Sequence, residues 1–141
     1  MKVQVVYTNK SKDAKLLVED IARYARTYAK PISQFDHEEM IDLLVIGFEE
    51  SLFYHKELKS FISSLTRDKI KNVALVNMFY FSEKSMNKAI DLCHIYDLPL
   101  LRETYSCKKR KFLPENHLTD DIISGGREFV EDMINICNNY Y

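Results

Sequence analysis

The chain is poor in glycine, in cysteine and in net charge, and each shortage removes a class of function. Three glycines stand in 141 residues, where average usage would place roughly ten. Hairpin-rich folds and glycine-built phosphate cradles are therefore excluded, and the sequence contains no G-x-S-x-G elbow, no P-loop and no G-x-G-x-x-G. The cysteines, Cys93, Cys107 and Cys137, form an odd set with gaps too wide for a C-x-x-C pair, which suits a reducing compartment. The four histidines are scattered, and no His, Cys, Asp or Glu set has metal-ligand spacing. Twenty Lys and Arg nearly cancel 21 Asp and Glu, so no global field draws the chain to nucleic acid or to an anionic membrane. No apolar run approaches the roughly 18 residues of a membrane span. The N-terminus, Met1-Lys2-Val3-Gln4-Val5-Val6, enters a strand-like run at once instead of a signal-peptide pattern, and a cytoplasmic protein is expected.

What is present is an alternation of short, dense apolar runs with longer segments of helical period, the pattern of a parallel sheet covered on both faces by helices. Val3 to Tyr7 is the first strand, followed by a helix over residues 13–29 with Leu17, Ile21, Tyr24 and Tyr28 on one face. Pro31 ends that helix, and Ile32 to Phe35 is the expected second strand. Residues 41–48 read as a central strand, 54–66 as a helix with Leu58, Phe61, Ile62 and Leu65 inward, and Val73 to Met78 as the fourth strand. A helix over 83–96, capped by Ser82, turns Met86, Ala89, Ile90 and Cys93 inward. Leu98 to Tyr105 is the last expected strand, 106–118 a long irregular segment, and a final helix carries Phe129, Val130, Met133, Ile134 and Cys137. The whole chain, 1–141, reads as one α/β domain. It is a three-layer, doubly wound fold with a five-stranded parallel sheet, and its simplest strand order is 2-1-3-4-5.

In such sheets ligands bind beyond the carboxyl ends of the strands, at the switch between the first and third. The first loop there is Thr8-Asn9-Lys10-Ser11-Lys12-Asp13-Ala14, which sets hydroxyl, amide and ammonium donors beside a helix N-terminus where a phosphate is favoured. Asp13 either caps the helix or opposes an anion there, and a polar turn before a helix is also simply a cap-and-turn.

Val5 to Ile21 resembles the opening of flavodoxins: an apolar strand ending near a Tyr, a hydroxyl-rich S/T-x-T-G-N-T phosphate loop, then an amphipathic helix. Thr8 and Ser11 match hydroxyl positions, whereas Lys12, Asp13 and Ala14 replace the loop's glycine, asparagine and last threonine. Asp42-Leu43-Leu44-Val45-Ile46-Gly47-Phe48 is similar to the family's third strand, Lys59-x-Phe61 to its next helix, and Glu103-Thr104-Tyr105-Ser106-Cys107 to the end of its fifth strand. Gly47 alone stands where that family keeps a glycine. The resemblance implies a flavodoxin-like fold, FMN as cofactor, and electron transfer to or from a larger reductase. Thr8, Asn9, Lys10, Ser11, Lys12 and Asp13 would then hold the phosphate. The ring would lie between the aromatic loops after the third and fourth strands, which carry Phe48, Phe53 and Tyr54, then Phe79, Tyr80 and Phe81, with Asn77 at its polar edge.

The same aromatics also suit padding of the sheet's end or a partner surface, and the eroded phosphate loop suits a flavin-free accessory protein. Such a protein would contact a partner through the aromatic loops and the basic run Lys108-Lys109-Arg110-Lys111; a charge run is also commonly a solvated face. Cys107 beside these cations suggests a lowered thiol pKa, although no His is placed to activate it. Glu49-Glu50 reads as a solvated loop or, near a flavin, as charge that repels the anionic reduced ring.

Overall fold

The computed structural model describes residues 1–9, 11–50, 55–109 and 118–140. Its elements run β1 (Val3–Tyr7), α1 (Asp13–Tyr24), β2 (Ala29–Pro31), a 3-10 turn (Ile32–Gln34), β3 (Leu43–Glu49), α2 (His55–Ser63), β4 (Val73–Phe79), α3 (Lys84–Ile95), β5 (Tyr105–Lys108) and α4 (Asp120–Tyr140). The five strands form one parallel sheet in the order β2-β1-β3-β4-β5, as the alternating pattern predicts.

Continuous apolar runs make the central strands because successive side chains go to opposite faces and both faces are covered. Val5, Leu43, Val45, Ala74, Val76 and Met78 join one buried cluster with Leu17, Val18 and Ile21 of α1 and Val130 and Met133 of α4. Val6, Leu44, Ile46, Val73 and Leu75 join the other with Leu58 and Ile62 of α2 and Met86 and Ala89 of α3. All three glycines lie on the first side and none has a positive φ. A Cβ on Gly47 would collide with Val18 of α1, and one on Gly126 would crowd Leu17 and Ile21. Glycine here serves close packing: Gly125 and Gly126 lie inside α4 instead of at its start, and a Cβ on Gly125 would collide with Tyr105 of β5.

Several boundaries differ from expectation. The second strand is Ala29–Pro31, not Ile32 to Phe35, whose first three residues form the 3-10 turn. Helix α1 ends at Tyr24, and Arg26 takes φ 61°, so Tyr24 and Tyr28 are exposed at 47% and 86% instead of joining the core. The last strand is Tyr105–Lys108, which takes up the start of the segment expected to be irregular. Leu98 and Leu101 are buried, but only Leu100 bridges to Val73. Residues 110–117 lie outside the described residues. Ser82 is not the N-cap of α3; Glu83 is, while the Ser82 hydroxyl accepts the Lys84 N–H at 3.1 Å. Among the described residues no helix is long and apolar enough to cross a membrane.

Candidate functional site

The carboxyl ends of β1, β3 and β4 sit side by side, with Tyr7 paired to Gly47 and Glu49 to Met78. The loop after β1 starts by donating the Thr8 N–H to the Gly47 carbonyl at 3.1 Å. It therefore crosses the end of β3 before entering α1.

That crossing determines what faces the helix N-terminus. A helix leaves its first N–H groups without intrahelical partners and usually recruits a local Ser, Thr, Asp or Asn. Here Lys12 stands at the cap position and makes no side-chain cap. The two nearby hydroxyls, Thr8 and Ser11, are hydrogen-bonded to each other. The missing acceptor comes from β3: Glu49 Oε1 receives the backbone N–H groups of Lys12, Asp13 and Ala14 at 2.9, 2.6 and 2.9 Å. Three donors thus converge on one anionic oxygen, the arrangement that a helix dipole and free N–H groups favour for a carboxylate or a phosphate. Next to it, Glu57 Oε1 accepts the Asn9 N–H at 2.6 Å.

Glu50 does the same for the neighbouring loop. Its carboxylate accepts the N–H groups of Tyr80, Phe81 and Ser82 at 2.9–3.4 Å, just ahead of α3. Burial works against its charge, but these three donors outweigh it and hold the carboxyl below its ordinary pKa. Neither glutamate is a freely solvated side chain, which corrects the reading of Glu49-Glu50 as a solvated loop.

Between the two loops lies a buried ionic cluster. The carboxylate of Asp13 is ion-paired with Lys109 and accepts the Tyr80 phenol at 3.0 Å, and the Lys109 ammonium also lies 5.6 Å from the centre of the Tyr80 ring. Desolvation pulls the ammonium's pKa down, but Asp13 and Tyr80 prevail and raise it above the usual lysine value. Burial, then Asp13, raises the Tyr80 phenol. Asp13 is thus neither a cap nor an uncompensated charge. The basic run is split accordingly: Lys108 is exposed, Lys109 is buried, and Arg110 and Lys111 fall outside the described residues.

The remaining candidates are distributed unevenly. Phe48 is 2% exposed and belongs to the core on the α2/α3 side. Phe79 and Tyr80 are half-buried, and Phe81 is 76% exposed. Asn77 is fully buried in β4; its amide N–H donates to Ser106 Oγ at 3.4 Å, while its Oδ1 has no partner among the described residues. Lys10, Phe53 and Tyr54 lie outside the described residues. Burial, then the charge of Asp121, pushes the Cys107 thiol up to about 12, opposite to what the adjacent cations suggest. Among the described residues no cluster of His, Cys, Asp or Glu has metal-site geometry.

For a phosphate the fit is one of donor chemistry. Three backbone N–H groups already hold an oxyanion, and two hydroxyls and Lys12 stand beside it. For an aromatic ring, the described residues offer the half-buried Phe79, the last residue of β4, and Tyr80 just after it.

No protein-family model matches this sequence, and no curated protein does. Solved structures do. A flavodoxin from Archaea superposes with a TM-score of 0.75 over 99% of this chain and 100% of its own, at 12% identity. Oxidised Flavodoxin 2 from Bacillus cereus gives 0.68 over 96% of this chain and 99% of its own, at 13% identity. Rubredoxin oxygen:oxidoreductase from the anaerobe Desulfovibrio gigas gives 0.72 at 12% identity, with 97% of this chain covering 36% of that one. At such identities the likeness establishes a flavodoxin-like fold.

Proposed function

We propose that this chain carries FMN, held by its phosphate at the N-terminus of α1, and passes electrons to or from a larger redox protein. The observation that carries this reading is the convergence of the Lys12, Asp13 and Ala14 N–H groups on a single anionic oxygen, at the switch point where a doubly wound sheet binds ligands. These N–H groups, with the Thr8 and Ser11 hydroxyls, would hold the phosphate. Phe79 and Tyr80 would flank the ring, and Asp13 and Lys109 would fix Tyr80 in place. When bound, the flavin supplies the one- and two-electron chemistry; the chain supplies orientation and an apolar wall. The flavodoxin-like fold and its occurrence within the Desulfovibrio gigas oxidoreductase support a role in electron transfer with a partner. Adding FMN to the purified protein should quench flavin fluorescence with saturation at tens of micromolar, and absence of quenching there would remove this reading.

A second reading has its own observation, since the seat already holds Glu49 and Phe48 lies in the core. On it the chain is a flavin-free accessory protein that meets its partner through Phe81 and Lys108. A stable complex with a redox enzyme that contains no flavin from this chain would select it.

A further inference from the structure

We propose that Glu49 is the resident anion of the α1 seat, so that a phosphate ester enters only by displacing it and binding is coupled to release of this side chain. The inference rests on the FMN reading for the identity of the ester, and on the geometry alone for the exchange.

The seat is not satisfied locally. Lys12 has no capping oxygen, and Thr8 and Ser11 are engaged with each other. The donors are met instead from 35 to 37 residues away. Glu49 reaches them because it is the last residue of β3, next to β1.

Charge then makes the occupancy exclusive. Asp13 is neutralised by Lys109, so among the described residues Glu49 is the anion at the donors without an ion pair. A phosphate added beside it would set two like charges on the same three N–H groups, and like charges within a few ångströms repel. Exchange avoids this. Glu49 is only half-buried and can return to water, where a carboxylate is well solvated. The neighbouring Glu50 stays on Tyr80–Ser82, so one arm of the Glu49-Glu50 pair remains anchored while the other moves. The same device explains how a phosphate loop without glycine stays folded when empty: a side chain occupies the place of the ligand.

The test compares the intact protein with Glu49→Ala, which empties the seat, and with Glu49→Gln, which keeps its shape but not its charge. Two probes are titrated, inorganic sulfate and FMN, and binding is read from flavin fluorescence and from the backbone amide resonances of Lys12, Asp13 and Ala14. Sulfate should leave these three resonances of the wild type in place and move them in Glu49→Ala. FMN affinity should rise roughly tenfold or more in Glu49→Ala and less in Glu49→Gln. Amides that respond to sulfate in Glu49→Ala without any FMN binding would support the exchange and overturn the FMN reading. FMN binding of equal strength in all three proteins would overturn the exchange and leave the FMN reading standing. Neither probe binding to either variant would overturn both.

Discussion

The loops after β1 and β4 meet the same problem in different surroundings. Each precedes a helix, each presents three backbone N–H groups, and each is closed by one of two adjacent carboxylates, Glu49 for the first and Glu50 for the second. The first loop is also backed by the buried Asp13–Lys109 pair, whereas the second ends in the exposed Phe81. Identical chemistry at the anion therefore has different consequences: the β1 loop is tied to the core by a buried charge pair, and the β4 loop joins that pair through the Tyr80 phenol while leaving Phe81 at the surface. This difference leaves the first loop closed over an anion and the second with an exposed aromatic side chain.

The strongest way to break the comparison is to remove the buried charge pair behind the first loop. Lys109→Met leaves Asp13 buried, at 4% exposure, without its cation, which should cost about 3–5 kcal/mol in urea unfolding. Restoring neutrality with Asp13→Asn in the same chain should recover much of that loss. A single Lys109→Met that unfolds at the wild-type midpoint would show that the pair contributes nothing. A smaller effect is expected from removing the acceptor itself. Glu49→Ala should lower stability by about 1–2 kcal/mol, since water can solvate part of the freed N–H set, and amide exchange should accelerate at Lys12–Ala14 while β4 stays protected.

The smallest effect sharpens the contrast by pH. Glu50 has its folded-state pKa held below the unfolded value by the N–H groups of Phe81, Tyr80 and Ser82, against the opposing effect of burial. Its contribution is therefore fully present above the unfolded carboxyl pKa, near 4.3, and is lost as pH falls through the lower folded value. Glu50→Gln should destabilise by about 1 kcal/mol or less at pH 7, and the gap to wild type should close on acidification below pH 4. A gap that stays constant across that range would mean the charge of Glu50 is immaterial.

The order of elements was legible because buried parallel strands demand solid apolar runs and their helices demand a 3.6-residue repeat. Both signals are strong in Leu43 to Phe48 and in Leu58, Phe61, Ile62 and Leu65. The short β2 escaped because Ala29–Pro31 is three half-buried residues at a sheet edge with no apolar density. The last strand was misplaced because Leu98 and Leu101 are core anchors without a strand ladder, and burial alone does not distinguish the two.

By itself the sequence determined the doubly wound fold, the strand order, and the position of a polar loop at the N-terminus of the first helix, because each of these follows from local periodicity and short connections. Only the tertiary structure decided what fills that loop. The pairing of β1 with β3 brings Glu49 across some 35 residues to the Lys12–Ala14 donors, and the pairing of β4 with β5 brings Lys109 to Asp13. Glu49 of the acidic pair and Lys109 of the basic run, which read along the chain as solvated charges, become a helix-terminus anion and a buried counter-ion, since strand neighbours in space are not neighbours in sequence.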